Sequence, residues 1–188
     1  DRLPPFPAQA ARETVEAADT AFFRPAELQK LLEHASDDLS PALALAGLAG
    51  LRVEEIMRLE WADVWRVEGH IEITAQQAKT RQRRLVVICA ALAAWLESQR
   101  DAPGKVYPAG LHVFGRGFTK LRKKLKIPTR KNGLRHAFCT YHFALHANEN
   151  LTAQQAGNSP AMIHAHYKGL ATKADAEKWF QILPSNKK

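Results

Sequence analysis

A mainly helical domain with one small antiparallel β-sheet is the fold class this sequence predicts, and three observations predict it. Apolar residues recur at helical spacing through most of the chain, as at Leu28, Leu31 and Leu32. The pattern turns to alternation at His70-Ile71-Glu72-Ile73-Thr74, and a β-branched run follows at Leu85-Val86-Val87-Ile88. A length of 188 residues, 46% hydrophobic and 24% charged, is that of one ordinary domain with a buried core.

From the N-terminus, Leu3-Pro4-Pro5-Phe6-Pro7 reads as an extended connector. Residues 1–21 are therefore expected to be a linker leaving an upstream domain, which fits a chain that does not begin with Met. Residues 22–184 are expected to be the domain and 185–188 a short tail. Pro25 suits a first helical turn, and Ser40-Pro41 suits the cap and first turn of a nearly all-apolar second helix to about Ala49. Gly50 allows a turn, and Val53, Ile56 and Met57 form the stripe of a third helix. Asp63 to Val67 is expected to join the strands at 70–74 and 85–88 in the sheet, with Gly69 turning the chain. Further helices are expected over about 90–100, 115–126, 133–147, 151–156, 160–167 and 173–182. No internal repeat or low-complexity segment interrupts them.

Charge narrows the function. Lys and Arg outnumber Asp and Glu 27 to 19, for a net charge of +8. Residues 1–78 carry a balance of −7 and residues 79–188 a balance of +15. No acidic residue lies between Ala102 and Asn148, a window holding Lys105, Arg116, Lys120, Arg122, Lys123, Lys124, Lys126, Arg130, Lys131 and Arg135. A one-signed field of this length points to a polyanion, nucleic acid before an anionic membrane, against the plainer reading of a soluble basic face. No apolar run reaches the roughly 18–20 residues of a membrane span, and the first twenty residues lack a signal peptide's apolar stretch. Two cysteines, Cys89 and Cys139, are too few for a disulfide framework and suit a reducing cytosol.

Four local features carry chemistry, each with a plainer alternative. Arg52 follows the glycine turn at the start of a helix, and Glu55 three residues on can hold its guanidinium; a surface ion pair is the alternative. Lys79 heads the basic turn Lys79-Thr80-Arg81-Gln82-Arg83-Arg84, where a lysine beside a phosphate can protonate a leaving oxygen, or simply be solvated. Asn132-Gly133-Leu134-Arg135-His136 opens a helix whose free N–H groups and Arg135 fork suit an anion. Tyr167 ends a short helix opened by Ser159-Pro160, just after Gly157-Asn158.

Taken in order, these features resemble the catalytic domain of the tyrosine recombinase (phage integrase) family, from about Phe22 to Pro184. The family's arginine box matches Gly50-Leu51-Arg52 and Glu55, its hairpin lysine matches Lys79 with Arg84 leading into the next strand, and its second arginine box matches Leu134, Arg135 and His136. Gly157 and Tyr167 match its last box and its nucleophile. The chain departs at Asn132, usually His, and at Asn158, usually His or Trp. Asparagine donates a hydrogen bond but exchanges no proton near neutral pH. His136, one helical turn after Asn132, and His164 and His166 near Tyr167 are the candidates to compensate.

The resemblance implies a bacterial, cytoplasmic site-specific recombinase. Tyr167 would attack the scissile phosphate, forming a 3′-phosphotyrosyl link and freeing a 5′-hydroxyl. Arg52 and Arg135 would hold the non-bridging oxygens, Lys79 would protonate the leaving oxygen, and Asn132 and Asn158 would add neutral hydrogen bonds, with Glu55 and His136 in support. No metal, ATP or other cofactor is implied. Arg81, Arg83, Arg84, Arg122, Lys123, Lys124 and Lys131 would contact the backbone of double-stranded DNA. The isolated domain would be a monomer that meets other protomers in a DNA-bound synaptic tetramer. An N-terminal core-binding domain would complete a clamp, and residues 172–182 would be a docking segment or an ordinary core helix. The rival readings are a DNA-binding protein silenced by the two asparagines, a type IB topoisomerase-like enzyme, and a metal site on His142 and His146.

Overall fold

Helix α2 (Leu39–Leu48) is apolar on every side because it is buried on every side. It is the centre of a computed structural model that describes residues 21–79 and 82–185. Residues 1–20 of the linker expected over 1–21, Arg81 in the basic turn and residues 186–188 of the tail expected over 185–188 lie outside those residues. Around α2 pack α1 (Pro25–His34), α5 (Ala90–Leu96) and α7 (Gly133–His146). Leu28, Leu31 and Leu32 form the buried stripe of α1, as their spacing predicts. Residues 97–99 extend α5 as a 3₁₀ turn.

The sheet is smaller than expected. Strands β1 (His70–Ile73) and β2 (Arg84–Val87) pair antiparallel, with His70 opposite Val87 and Ile73 opposite Arg84. Residues 63–67 do not join them. Trp61–Trp65 is a helix, α4, and Val67 makes only an isolated bridge to His70. The cause is local: Asp63 Oδ2 accepts the Glu60 backbone N–H at 3.1 Å, and Trp61 and Val64 bury one face at helical spacing. Short helix α3 (Val53–Ile56) precedes it.

Helix α6 (Gly110–Lys124) begins five residues before the expected start at 115. Phe114 and Leu121 point inward, while Arg116, Lys120, Lys123 and Lys124 are exposed. Helices α8 (Glu149–Ala156) and α9 (Pro160–Tyr167) follow α7 and close a second apolar cluster of Phe138, Cys139, Ala153, Ala156, Ile163 and Tyr167. Helix α10 (Lys173–Phe180) is a core helix of its own chain. Trp179 is fully buried, stacks on Tyr141 at 4.7 Å and donates from Nε1 to the Gly47 carbonyl at 3.0 Å. Trp95 Nε1 then donates to the Ile182 carbonyl at 2.8 Å, fastening the chain end to α5.

Candidate active site

Glu55 is the anchor. Its carboxylate is 1% exposed and accepts four hydrogen bonds. Oε1 takes Arg52 Nη1 at 3.2 Å and Arg84 Nη1 at 3.0 Å; Oε2 takes the Arg52 backbone N–H at 3.0 Å and Arg84 Nη2 at 2.7 Å. Burial alone would raise its pKa, but the hydrogen bonds and charge of Arg84, with those of Arg52, hold it below the usual carboxylate range. Arg52 is thus aimed by a buried carboxylate and is not half of a solvated surface pair.

Its other nitrogen, Nη2, reaches the turn between α8 and α9. There it donates to the Gly157 carbonyl at 2.8 Å and to Asn158 Oδ1 at 3.2 Å. Arg135 Nη2 donates to the same Asn158 Oδ1 at 3.0 Å, and Arg135 Nη1 donates to the Gly50 carbonyl. One neutral oxygen therefore bridges both guanidinium groups, and the Asn158 NH₂ has no hydrogen-bond partner among the described residues. Gly157 makes this turn possible: its φ is +64°, and a Cβ would stand 3.0 Å from the Arg84 guanidinium.

Asn132 caps α7 with φ 53° and ψ 18°, a left-handed conformation that Asn and His adopt more readily than most residues. Gly133 follows because a Cβ there would collide with Arg130 and the Phe23 ring. Arg52, Lys79, Asn132 and Arg135 line one cleft of about 330 Å³, together with Arg122, Arg130 and the carboxylate of Glu54. Lys79 is exposed. Burial first, then the Arg52 and Arg84 charges, lower the pKa of Arg135, while Cys139 and then Glu55 oppose them. Three guanidinium groups around one carboxylate leave a positive site that an anion completes. A separate hollow of about 740 Å³ near Trp95 is lined by Glu33, Asp37 and Glu97 and, among the described residues, by no Lys or Arg.

Tyr167 lies on α9 beside this cluster, only 5% exposed. Its hydroxyl is 2.7 Å from His136 Nδ1, with the two rings 5.8 Å apart. Burial first, then Cys139, pushes its pKa well up, against the pull of Arg135 and Arg52. Of the three candidate histidines, His136 is the one placed on Tyr167. His164 is exposed and bonded to Glu149 Oε2 at 3.2 Å, whereas His166 is half-buried beside the Tyr167 ring.

The structure brings Arg52, Glu55, Lys79, Asn132, Arg135, His136, Asn158 and Tyr167 to one region. It removes two residues from the expected DNA-contacting set. Arg84 is buried and spent on Glu55 and on the Gln155 carbonyl, 3.3 Å from its Nε. Arg122 is also buried, donating to Thr129 Oγ1 at 2.7 Å and lying over the Phe118 ring. Lys123, Lys124 and Lys131 are exposed; Arg83 is exposed and paired with Glu72 at 2.6 Å. Gln155 was missed: its buried Oε1 accepts the Val87 N–H at 2.8 Å, tying β2 to α8, and no sequence signal marks it. Among the described residues no three His, Cys, Asp or Glu side chains stand close enough to hold a metal ion. His142 is buried with Nδ1 2.8 Å from Thr152 Oγ1. No described helix is long and apolar enough to cross a membrane.

No protein-family model and no curated protein matches the chain. Solved structures do. XerA recombinase superposes with a TM-score of 0.66 at 21% identity, over 88% of this chain and 66% of that one. A lambda integrase (residues 75–356) dimer bound to a COC′ core site gives 0.63 at 16% identity, over 86% and 64%. XerH site-specific recombinase, in a post-cleavage complex with a palindromic difH substrate, gives 0.64 at 17%, over 82% and 51%. The chain thus spans between half and two thirds of the structures it resembles. Its helical body, its single hairpin and their order are those of the tyrosine recombinase catalytic-domain fold.

Proposed function

We propose that this chain is the catalytic domain of a site-specific DNA recombinase that cuts and rejoins strands through a 3′-phosphotyrosine on Tyr167. The observation that carries the reading is the meeting of Arg52 and Arg135 on Asn158 Oδ1, from three distant parts of the chain, where the two arginines also line one cleft with Lys79 and Asn132. A phosphodiester there would receive guanidinium donors on its non-bridging oxygens and the Asn158 NH₂ beside them, stabilising charge as it builds on phosphorus. Lys79 would protonate the departing 5′ oxygen. The link conserves the phosphodiester bond energy, so rejoining needs no ATP, and the arginines and lysine supply the charge stabilisation. The exposed Lys123, Lys124 and Lys131 would follow the duplex backbone. The DNA-bound dimers and tetramer of the similar structures support double-stranded DNA and further protomers as partners.

One observation favours a second reading, a DNA-binding protein without strand cleavage: Tyr167 is buried and bonded to His136, away from solvent. Nicked duplexes of randomised sequence separate the two, because cleavage next to a nick releases a short oligonucleotide and traps the adduct. A protein–DNA adduct on a denaturing gel that Tyr167→Phe abolishes supports the recombinase. Salt-sensitive binding with no adduct selects the binding protein.

A further inference from the structure

We propose that His136 is the general base that takes the proton from Tyr167 as the nucleophile attacks. The proposal rests on the reading of Tyr167 as that nucleophile.

Geometry carries it. His136 Nδ1 and Tyr167 Oη stand 2.7 Å apart, the distance of a hydrogen bond along which a proton passes. The two groups sit on separate helices, α7 and α9, and His136 directly follows Arg135. The base and the guanidinium aimed at the phosphate therefore share one rigid support. The other side chain bonded to the hydroxyl, the Cys139 thiol, is a poor acceptor, because burial pushes its pKa up and keeps it a neutral thiol. Asn132 and Asn158 are amides, Asn158 Oδ1 is already committed to two arginines, and His164 is turned to Glu149.

The charged and titratable groups around the imidazole give it a fitting state. From its own helix it faces Arg135, and from α9 it faces Tyr167 and His166. Burial, then the Arg135 charge, then His166 lower its pKa, so the ring is neutral at neutral pH with a lone pair for the Tyr167 O–H. Nε2 then carries the ring proton. A phosphate entering the cleft offsets the Arg135 charge and raises the basicity of the neighbouring imidazole, so the base strengthens when substrate is present. The tyrosine needs this help, since burial has pushed its own ionisation up.

The step balances. The Oη–P bond forms as the P–O5′ bond breaks; the phenolic proton passes to His136 Nδ1, and Lys79 gives a proton to the 5′ oxygen. Rejoining runs the same transfers backwards, with the His136 imidazolium returning its proton to Oη.

The test is single-turnover adduct formation on the randomised nicked duplexes, followed from about pH 5.5 to 9, across the ordinary imidazole range. Wild type is expected to speed up with pH and then level off. His136→Gln keeps an acceptor for the hydroxyl but no base; it is expected to lose about 10²–10⁴-fold in rate at pH 7 and to rise with pH without a plateau. His136→Ala is expected to regain part of its rate with added imidazole, which a merely positional role would not allow. A Tyr167-dependent adduct formed by His136→Gln at the wild-type rate and profile overturns the base alone. So does a wild-type rate that never levels off, or a His136→Ala variant that imidazole leaves unchanged. Absence of any Tyr167-dependent adduct in wild type overturns the recombinase reading and this proposal with it.

Discussion

The carboxylate of Glu55 and the guanidinium of Arg84 meet in two near-parallel hydrogen bonds of 3.0 and 2.7 Å, with both side chains buried. This bidentate geometry is the strong form of the charge pair. Through it Arg84, on β2, fixes the residue that orients Arg52, and its Nε ties the hairpin to α8 at Gln155.

Arg84→Met leaves a buried carboxylate with Arg52 as its one remaining guanidinium partner. It is expected to cost about 3–5 kcal/mol of stability, read as a lower urea midpoint. Arg84→Lys is expected to fall between, since an ammonium cannot match the fork. Because the folded pKa of Glu55 is held below its unfolded value of about 4.3, the contribution of this pair is complete above that pH. It is lost as pH falls through the depressed folded value.

His142 shifts in the same direction on a titratable ring. Burial and His146 push its pKa down to about 3, so between that value and the unfolded value of about 6.5 the unfolded chain binds the extra proton. Stability is expected to fall with acidification across this window, by up to about 1.4 kcal/mol per pH unit. Urea midpoints at pH 7, 6 and 5 check it; His142→Gln is expected to flatten the slope, and an unchanged slope contradicts the assignment.

Arg122 and Lys123 are adjacent in sequence and opposite in role. Lys123→Gln is expected to leave the melting temperature within a degree or two and reduce the salt slope of DNA binding by about one. Arg122→Gln is expected to lower stability by about 1–3 kcal/mol, through loss of its bond to Thr129 and its packing on Phe118. Thermal melts and binding measured at several salt concentrations distinguish them.

Asn158→Leu removes the one oxygen that both arginines share. About 10²–10³-fold lower adduct formation is expected, with a smaller loss in binding, because the outer lysines remain. Equal losses in both would show that Asn158 serves affinity alone.

Much of this site was legible in the sequence. The order of Arg52, Arg135 and Tyr167, each in the first or last turn of a helix, with Lys79 in the turn between the strands, is a pattern that local signals mark. The elements were legible where periodicity was long, as in α1 and α7. They failed at residues 63–67, where five residues fit either period and a side-chain cap decided for helix. What stayed hidden was how far each charge is buried. Arg84 and Arg83 read alike in a basic run, yet Arg84, the first residue of β2, turns inward to Glu55, while Arg83 just before it is exposed and pairs with Glu72. The His136–Tyr167 contact spans 31 residues and depends on how α9 packs against α7, which no local pattern encodes.

The central claim, a covalent phosphotyrosine at Tyr167, is tested most directly by peptide mass mapping of the adduct after trypsin and nuclease digestion. The expected result is a nucleotide mass on Tyr167, joined through the DNA 3′ phosphate and removed by a phosphodiesterase that cleaves 3′-phosphotyrosyl bonds. A nucleotide on any other residue, or none on the peptide that contains Tyr167, would contradict the account.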